Sequence, residues 1–455
     1  MELFAARRRR FMDMMSDGVA VFRAAPVALR NGDVDHPYRQ DTDFLFLTGF
    51  EEPDAYAVLE KDGERRKFTL FVRPSDPEQE VWTGKRAGVG GAVADYGADE
   101  AYPVGDFFDR IPGILTNRQR LYLAFGRDPA FEGRITGIIQ SLNSEARKGI
   151  CGPSEIVDPR TILWEMRLVK DDKDIAAMEN ACRVTSDAFK AMMRAARPGL
   201  CERELAAVLE FEFRRRGADR LGFDTICASG PAATTLHYVR NNQTIREGDL
   251  VLVDAGAEVG HVTADVTRTF PASGKFKEPG LSVYRWVLKA QKAAIQAVRP
   301  GATYADVHGA ALHVLCEGLA AMGVIEDSVE NIIKTEAYRA YFMHRIGHWL
   351  GCDVHDVGPY FENGNSIALR PGMVMTIEPG LYFGENAPLP FRGIGVRIED
   401  DIVVTGDGCR VLTDVPREVE EIEDLMTPLG SWWGAIESVS DKVRRQRSPR
   451  PRPRR

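Results

Sequence analysis

Histidine and cysteine are scarce: the 455 residues hold 8 His and 7 Cys. The cysteines (151, 182, 201, 227, 316, 352 and 409) are odd in number, scattered, and never spaced Cys-x-x-Cys. That pattern excludes a disulfide framework and a thiolate zinc site, and it suits a reducing cytosol, so a cytoplasmic location is expected. No run of about 18 apolar residues exists, which argues against a membrane span. An excess of positive charge is also missing: the formal net charge is -8, so nucleic acid is not expected as the main partner. The Arg7 to Arg10 run is followed by no long apolar stretch, and Glu2, Asp13 and Asp17 lie around it. A polar face on a first helix is preferred over a secretory or transit signal.

What is present is an ordinary globular composition, 44% apolar and 28% charged, in a chain long enough for two to three domains. The charge is uneven. Seven Arg and no acid lie in 444–455, and subtracting them leaves -15 on residues 1–443. The body of the chain is therefore acidic, and its Arg/Pro-rich end, 429–455, cannot bury a core and is expected to be disordered.

Residues 18–150 alternate short apolar segments with turns. Gly18 to Phe22, Asp43 to Leu47 and Leu121 to Phe125 read as strands, and Tyr56 to Glu60 with Phe68 to Val72 as a hairpin around Asp62-Gly63. From Asp172 the period lengthens: Ile175, Met178, Cys182, Phe189, Met192 and Met193 share one helical face, ending at Arg197-Pro198-Gly199. A second helix carries Leu205, Leu209 and Phe213. About 100 residues on, a helix with Trp286, Val287 and Ile295 ends at Arg299-Pro300-Gly301, and another follows with Val307, Ala311 and Leu315.

The strands repeat as well. Segment 246–256 aligns without gaps on 370–380, setting Asp254 over Glu378 and Gly256 over Gly380. A second carboxylate follows on a further strand in both halves, Asp265 in one and Glu399 in the other. The expected class is α/β (α+β): a mixed N-terminal domain over 1–168, then a domain of two related halves over 169–428.

Four acids gathered at buried strand ends need counter-charge. No Lys lies in these segments, and Arg268 and Arg397 cannot balance four acids. Two divalent cations can, and a metal pair suits hydrolysis. Three of the eight His fall between Met343 and Asp356: His344, His348 and His355. The pair His344 and His348 has i, i+4 spacing, but the zincin Glu after the first His is missing. A fourth, His237, sits in Thr235-Leu-His-Tyr238. An oxygen-rich set with one His favours Mn2+ or Co2+ over Zn2+.

These residues carry a family resemblance. Leu252-Val-Asp254-Ala-Gly256, Ala264-Asp265-Val-Thr-Arg-Thr-Phe270, His344 to Asp356, Thr376-Ile-Glu378-Pro-Gly380-Leu-Tyr382 and Gly395-Val-Arg-Ile-Glu399-Asp-Asp401 occur in order. With Arg39-Gln-Asp-Thr-Asp43 and Thr48-Gly-Phe50 in the N-terminal part, the chain resembles aminopeptidase P, the Xaa-Pro aminopeptidases of the pita-bread metallopeptidases. The resemblance implies a pseudo-twofold pita-bread domain holding two divalent ions, with Mn2+ favoured and Co2+ or Zn2+ as alternatives. Asp254, Asp265, His348, Glu378 and Glu399 are the implied ligands, and Glu378 also the proton shuttle for attack by a bridging hydroxide. His237 and His355 are implied to hold substrate and the tetrahedral intermediate, and His344 to lie at the proline pocket. Arg397 and Tyr382 are implied to lie near the site; an ion pair with a site acid and plain packing are the simpler readings of each. Trp82 matches a tryptophan that reaches a neighbouring subunit, with core packing the alternative. The implied substrates are peptides with proline second, and a homo-oligomer (dimer or tetramer) is expected. A prolidase acting on Xaa-Pro dipeptides is the alternative, and a non-catalytic pita-bread binding module a more distant one.

Overall fold

The computed structural model describes residues 2–427, in two compact units that meet in sequence between Met166 and Arg167. The expected Arg/Pro-rich tail lies outside the described residues. Among the described residues, no helix is long and apolar enough to cross a membrane.

The first unit is built on a six-stranded mixed sheet. Its order is Glu100–Pro103, Arg65–Val72, Tyr56–Asp62, Gly18–Arg23, Arg120–Tyr122 and Glu155–Val157. The three middle segments run antiparallel and the flanking ones join in parallel. Side chains alternate across a strand. Ala20, Phe22, Ala57, Leu59, Leu70 and Val72 therefore enter one core, while Val19, Val21, Val58 and Phe71 enter another. The Tyr56–Asp62 and Arg65–Val72 hairpin forms at the expected turn, with Gly63 at φ 56°.

In this unit one expectation fails, the strand expected over Leu121 to Phe125 ends at Tyr122, and one of the two readings of Trp82 falls away. Asp43 to Leu47 is not a strand but part of the helix Thr42–Thr48. The Asp41 carboxylate accepts from the Phe44 N–H and Gly49 closes the C-terminus in the left-handed region, and these two caps override an apolar run that has no period-2 alternation. Trp82 is not in the core: it lies on the short helix Pro77–Thr83 and is 84% exposed.

In the second unit the repeat is structural. Helices Asp172–Ala195 and Glu202–Arg215 correspond to Gly280–Ala297 and Tyr304–Ala321. The turns between them place Gly199 at φ 92° and Gly301 at φ 84°, a conformation that favours glycine. Each turn docks on the equivalent residue of its own half. Gly199 N–H donates to Ile245 O and Ile245 N–H to Leu200 O; Gly301 N–H donates to Leu369 O and Leu369 N–H to Ala302 O. The isolated bridges Cys201 to Thr244 and Thr303 to Ala368 repeat the relation. Leu205, Leu209, Phe213, Val307, Ala311 and Leu315 are fully buried in one shared core.

The sheets that follow carry the acids. Leu250–Ala255 lies between Ile226–Ser229 and Val266–Pro271, all antiparallel, and Val374–Ile377 pairs with Asp400–Val404. The ladders set Asp254 opposite Thr267 and Ile377 opposite Asp400, so the next step out sets Glu378 against Glu399. In this register Thr267 is the counterpart of Glu399, Arg268 of Asp400, and Asp265 of Arg397. The two second carboxylates are thus not repeats of each other, because gapless alignment covers only the first strand of each pair. The repeated glycines have a steric cause. A Cβ on Gly256 would sit 1.6 Å from Ala264 O, and one on Gly380 would sit 2.9 Å from Val396 O, which is the matching carbonyl.

Candidate metal centre and catalytic cleft

All nine candidate side chains line one cleft of about 410 Å³: Asp254, Asp265, Glu378, Glu399, His237, His344, His348, His355 and Arg397. Asp254 is the penultimate residue of its strand, and Asp265 and Glu399 immediately precede theirs. Asp265 Oδ2 lies 3.4 Å and Glu378 Oε1 3.9 Å from His348 Nε2. Ligand atoms of Asp265, His348 and Glu399 all fall within 4.8 Å of one another.

The electrostatics of the carboxylates follow from this crowding. Burial, and then the charge of Glu399, pushes Asp265 and Glu378 well above the ordinary carboxylate range. Burial, and then Asp254, raises Glu399 to about 8. Asp254 Oδ1 and Asp265 Oδ1 are buried without a hydrogen-bond partner. Buried carboxylate oxygens are normally satisfied. Crowded acids with unused lone pairs next to an imidazole nitrogen fit a cation site, and the donor set is oxygen-rich.

His348 is held for such a role. Its Nδ1 lies 3.0 Å from Trp349 O, and a carbonyl can only accept, so Nδ1 carries the proton and Nε2 keeps its lone pair toward the acids. Burial lowers its pKa to about 4. His344 is arranged alike, with Nδ1 donating to Arg345 O and Nε2 accepting from Tyr382 OH at 2.9 Å. Burial lowers it to about 4 as well. His355 packs edge-on against His348 at 4.4 Å between ring centres. His237 and His355 are exposed at the cleft.

Arg397 forms the simpler contact and more. It pairs with Asp254 Oδ2 at 2.5 Å and donates to Thr267 Oγ1 and to Tyr382 OH. Tyr382 is therefore not merely packed: its hydroxyl links Arg397 to His344 while the ring is 1% exposed.

Several contributors escaped the sequence reading. Thr267 Oγ1 donates to Glu399 Oε2 at 2.7 Å. Asp401 Oδ2 accepts the backbone N–H of Asp265 and lies 3.2 Å from Cys182 Sγ. Asp356, beside His355, is buried against Lys170 and Arg167, and these cations hold its carboxyl below the ordinary range despite its burial. The Asp401 and Asp356 positions stood inside the motifs, but nothing in their spacing shows which partners they meet.

Comparison with known proteins agrees over most of the chain. Residues 4–122 match the aminopeptidase P N-terminal domain and residues 176–406 match metallopeptidase family M24. The Xaa-Pro aminopeptidase of Escherichia coli K12 is 38% identical over 428 residues, 93% of this chain and 97% of that one. The structure of the Pseudomonas aeruginosa aminopeptidase PepP superimposes with a TM-score of 0.91 at 44% identity, covering 96% of this chain and 98% of that one. Zn-substituted E. coli aminopeptidase P in complex with product gives a TM-score of 0.91 at 38% identity, covering 93% and 98%. With both domain types matched in order and the mixed first unit joined to a duplicated second one, the chain belongs to the aminopeptidase P family of M24 metallopeptidases.

Proposed function

We propose that this chain is a dinuclear-metal aminopeptidase that removes the first residue from peptides with proline in second place. The observation that carries this reading is the cluster of Asp254, Asp265, His348, Glu378 and Glu399 in one cleft, with buried carboxylate oxygens unpartnered. The alignment with Xaa-Pro aminopeptidases over nearly their full length supports it.

Two divalent cations held by those five side chains would supply, when bound, a hydroxide nucleophile and polarisation of the scissile carbonyl. Manganese is the ion we assign, because four of the five donors are carboxylates. The chain's own groups do the rest. Glu378, which lines the cleft beside His348, takes the nucleophile's proton and passes it to the proline nitrogen as that bond breaks. His237 and His355, exposed at the cleft, hold the substrate and the oxygen that gains charge at the carbonyl. His344 and Tyr382 face the proline side, and Arg397 secures Asp254 beside them. Proline lacks an N–H, so its pocket need offer no acceptor for one.

We also infer a cytoplasmic enzyme, in keeping with seven free cysteines, and a homo-oligomer in which the exposed Val81 and Trp82 are covered by a second copy. The deciding assay is release of the first residue from Xaa-Pro-Yaa with and without Mn2+. Metal-dependent release supports the reading. Turnover confined to the Xaa-Pro dipeptide would make the chain a prolidase, and a preparation inactive after Mn2+ addition would overturn the enzyme reading.

A further inference from the structure

The mechanism above places an exposed histidine, His237, at a reacting centre and gives it no anchor: among the described residues its ring has no hydrogen-bond partner. Its position is therefore set by the backbone of the loop that follows Ile226–Ser229. That loop is held from the outside of the cleft. Glu202, the first residue of the helix Glu202–Arg215, turns its carboxylate inward and is 0% exposed. It does not line the cleft.

Four neutral donors converge on that carboxylate. Oε1 accepts from Ser229 N at 2.7 Å and Ser229 Oγ at 2.8 Å; Oε2 accepts from Tyr238 OH at 2.9 Å and Gln243 N at 2.9 Å. Ser229 ends the strand before the loop, and Gln243 lies where the loop returns. Tyr238 is the residue after His237. A second pin acts between them: Asn241, at φ 46°, uses its side-chain amide to bond Cys227 N and Thr225 O. Among the described residues this buried carboxylate has no cationic partner, and its burial is offset by four hydrogen bonds, since bonds to a carboxylate are the strong ones.

We propose that Glu202 is a positioning residue for the reaction: by clamping Ser229, Tyr238 and Gln243 it fixes the loop that presents His237 to the substrate. The proposal rests on the aminopeptidase reading for the role of His237, not for the clamp itself. Replacing Glu202 by Gln keeps the shape but turns an amide N–H2 toward two of the four donors. Tyr238→Phe is the gentler variant, removing one donor and leaving three.

The test measures kcat and KM on Xaa-Pro-Yaa for Tyr238→Phe, Glu202→Gln, His237→Ala and the double variant Tyr238→Phe/His237→Ala, with metal content and Tm alongside. The expected result is a fall of about tenfold in kcat/KM for Tyr238→Phe with the metal complement unchanged, and less than a twofold further loss when it is added to His237→Ala. Additive losses in the double variant, or wild-type kinetics in Tyr238→Phe with Glu202→Gln folded, would overturn the proposal. Should Glu202→Gln fail to fold, the Tyr238 cycle decides alone. If the wild-type protein does not cleave Xaa-Pro-Yaa, the functional reading fails instead. The clamp is then judged from crystal structures: an unmoved His237 ring in Tyr238→Phe sinks it.

Discussion

The two halves of the second unit share a scaffold and differ in chemistry. Their helices, Arg-Pro-Gly turns, docking bonds and close-approach glycines superimpose in sequence step by step. At the strand ends the counterparts are Asp254 with Glu378, but Asp265 with Arg397, Thr267 with Glu399 and Arg268 with Asp400. An acid in one half is answered by a cation or a hydroxyl in the other. A fully symmetric site would have doubled its acids and its repulsion. The observed one keeps five potential ligands, while Arg397 bonds Asp254 and Thr267, and Arg268 pairs with Asp400 across the halves. Duplication explains the frame, and divergence at three register positions explains the centre.

The largest expected effect falls on the asymmetric acids. Asp265→Ala or Glu399→Ala removes both turnover, by more than about 1000-fold, and retained metal. Metal analysis with the peptide assay checks this, and either variant with full activity would break the assignment. Next comes the crossing pair. Arg268→Ala leaves Asp400 fully buried with Arg417, Gln291 and Thr413 but without its buried cation, and is expected to cost about 3–5 kcal/mol in denaturant unfolding. The charge swap Arg268→Asp with Asp400→Arg should not rescue it. Arg268 also donates to the carbonyls of Glu399, Val415 and Pro416, which lie on one side only. Rescue would show the halves to be interchangeable.

A smaller loss is expected for Arg397→Lys. A single ammonium cannot span Asp254, Thr267 and Tyr382 as the fork does, so kcat should fall about 10- to 100-fold with folding retained. Circular dichroism and kinetics together test this, and unchanged kcat would reduce Arg397 to a charge. The smallest effect compares equivalent helix caps. Thr303 Oγ1 accepts from Asp306 N, whereas Cys201 offers sulfur at the same place. Thr303→Ala should lose about 1 kcal/mol and Cys201→Ala less, as read from thermal melts; equal losses would mean that the cap chemistry is immaterial.

Much of this was legible in the sequence because it is periodic or local. The helix faces of Leu205-Leu209-Phe213 and Val307-Ala311-Leu315, the paired turns and the strands ending at Asp254 and Glu378 needed only spacing. The nine cleft residues were found by motif resemblance, and the fold brings them to one cleft. What escaped depends on partners far along the chain. Nothing near Glu202 announces Tyr238, nothing near Asp356 announces Lys170, and only the ladders reveal that Asp265 and Glu399 are not counterparts. The helix at Thr42–Thr48 was missed because a short apolar run is ambiguous until its caps are counted.

The crowding of the acids has a consequence for how the centre is filled. Asp265, Glu378 and Glu399 hold protons well above the pH at which free carboxyls release them. In the metal-free protein these three carboxyls therefore bind more protons folded than unfolded, and their contribution to stability falls as pH rises toward about 8. Below about pH 6.5 the lowered His344 and His348 work the other way, so the net fall is expected above that pH. Cation uptake must displace those protons. On the proposed two-metal reading the cleft would work as a weak-acid ion exchanger, loaded by alkalinity as well as by metal supply and stripped by acid. Titration calorimetry in buffers of different ionisation enthalpy counts the protons that leave as each ion enters.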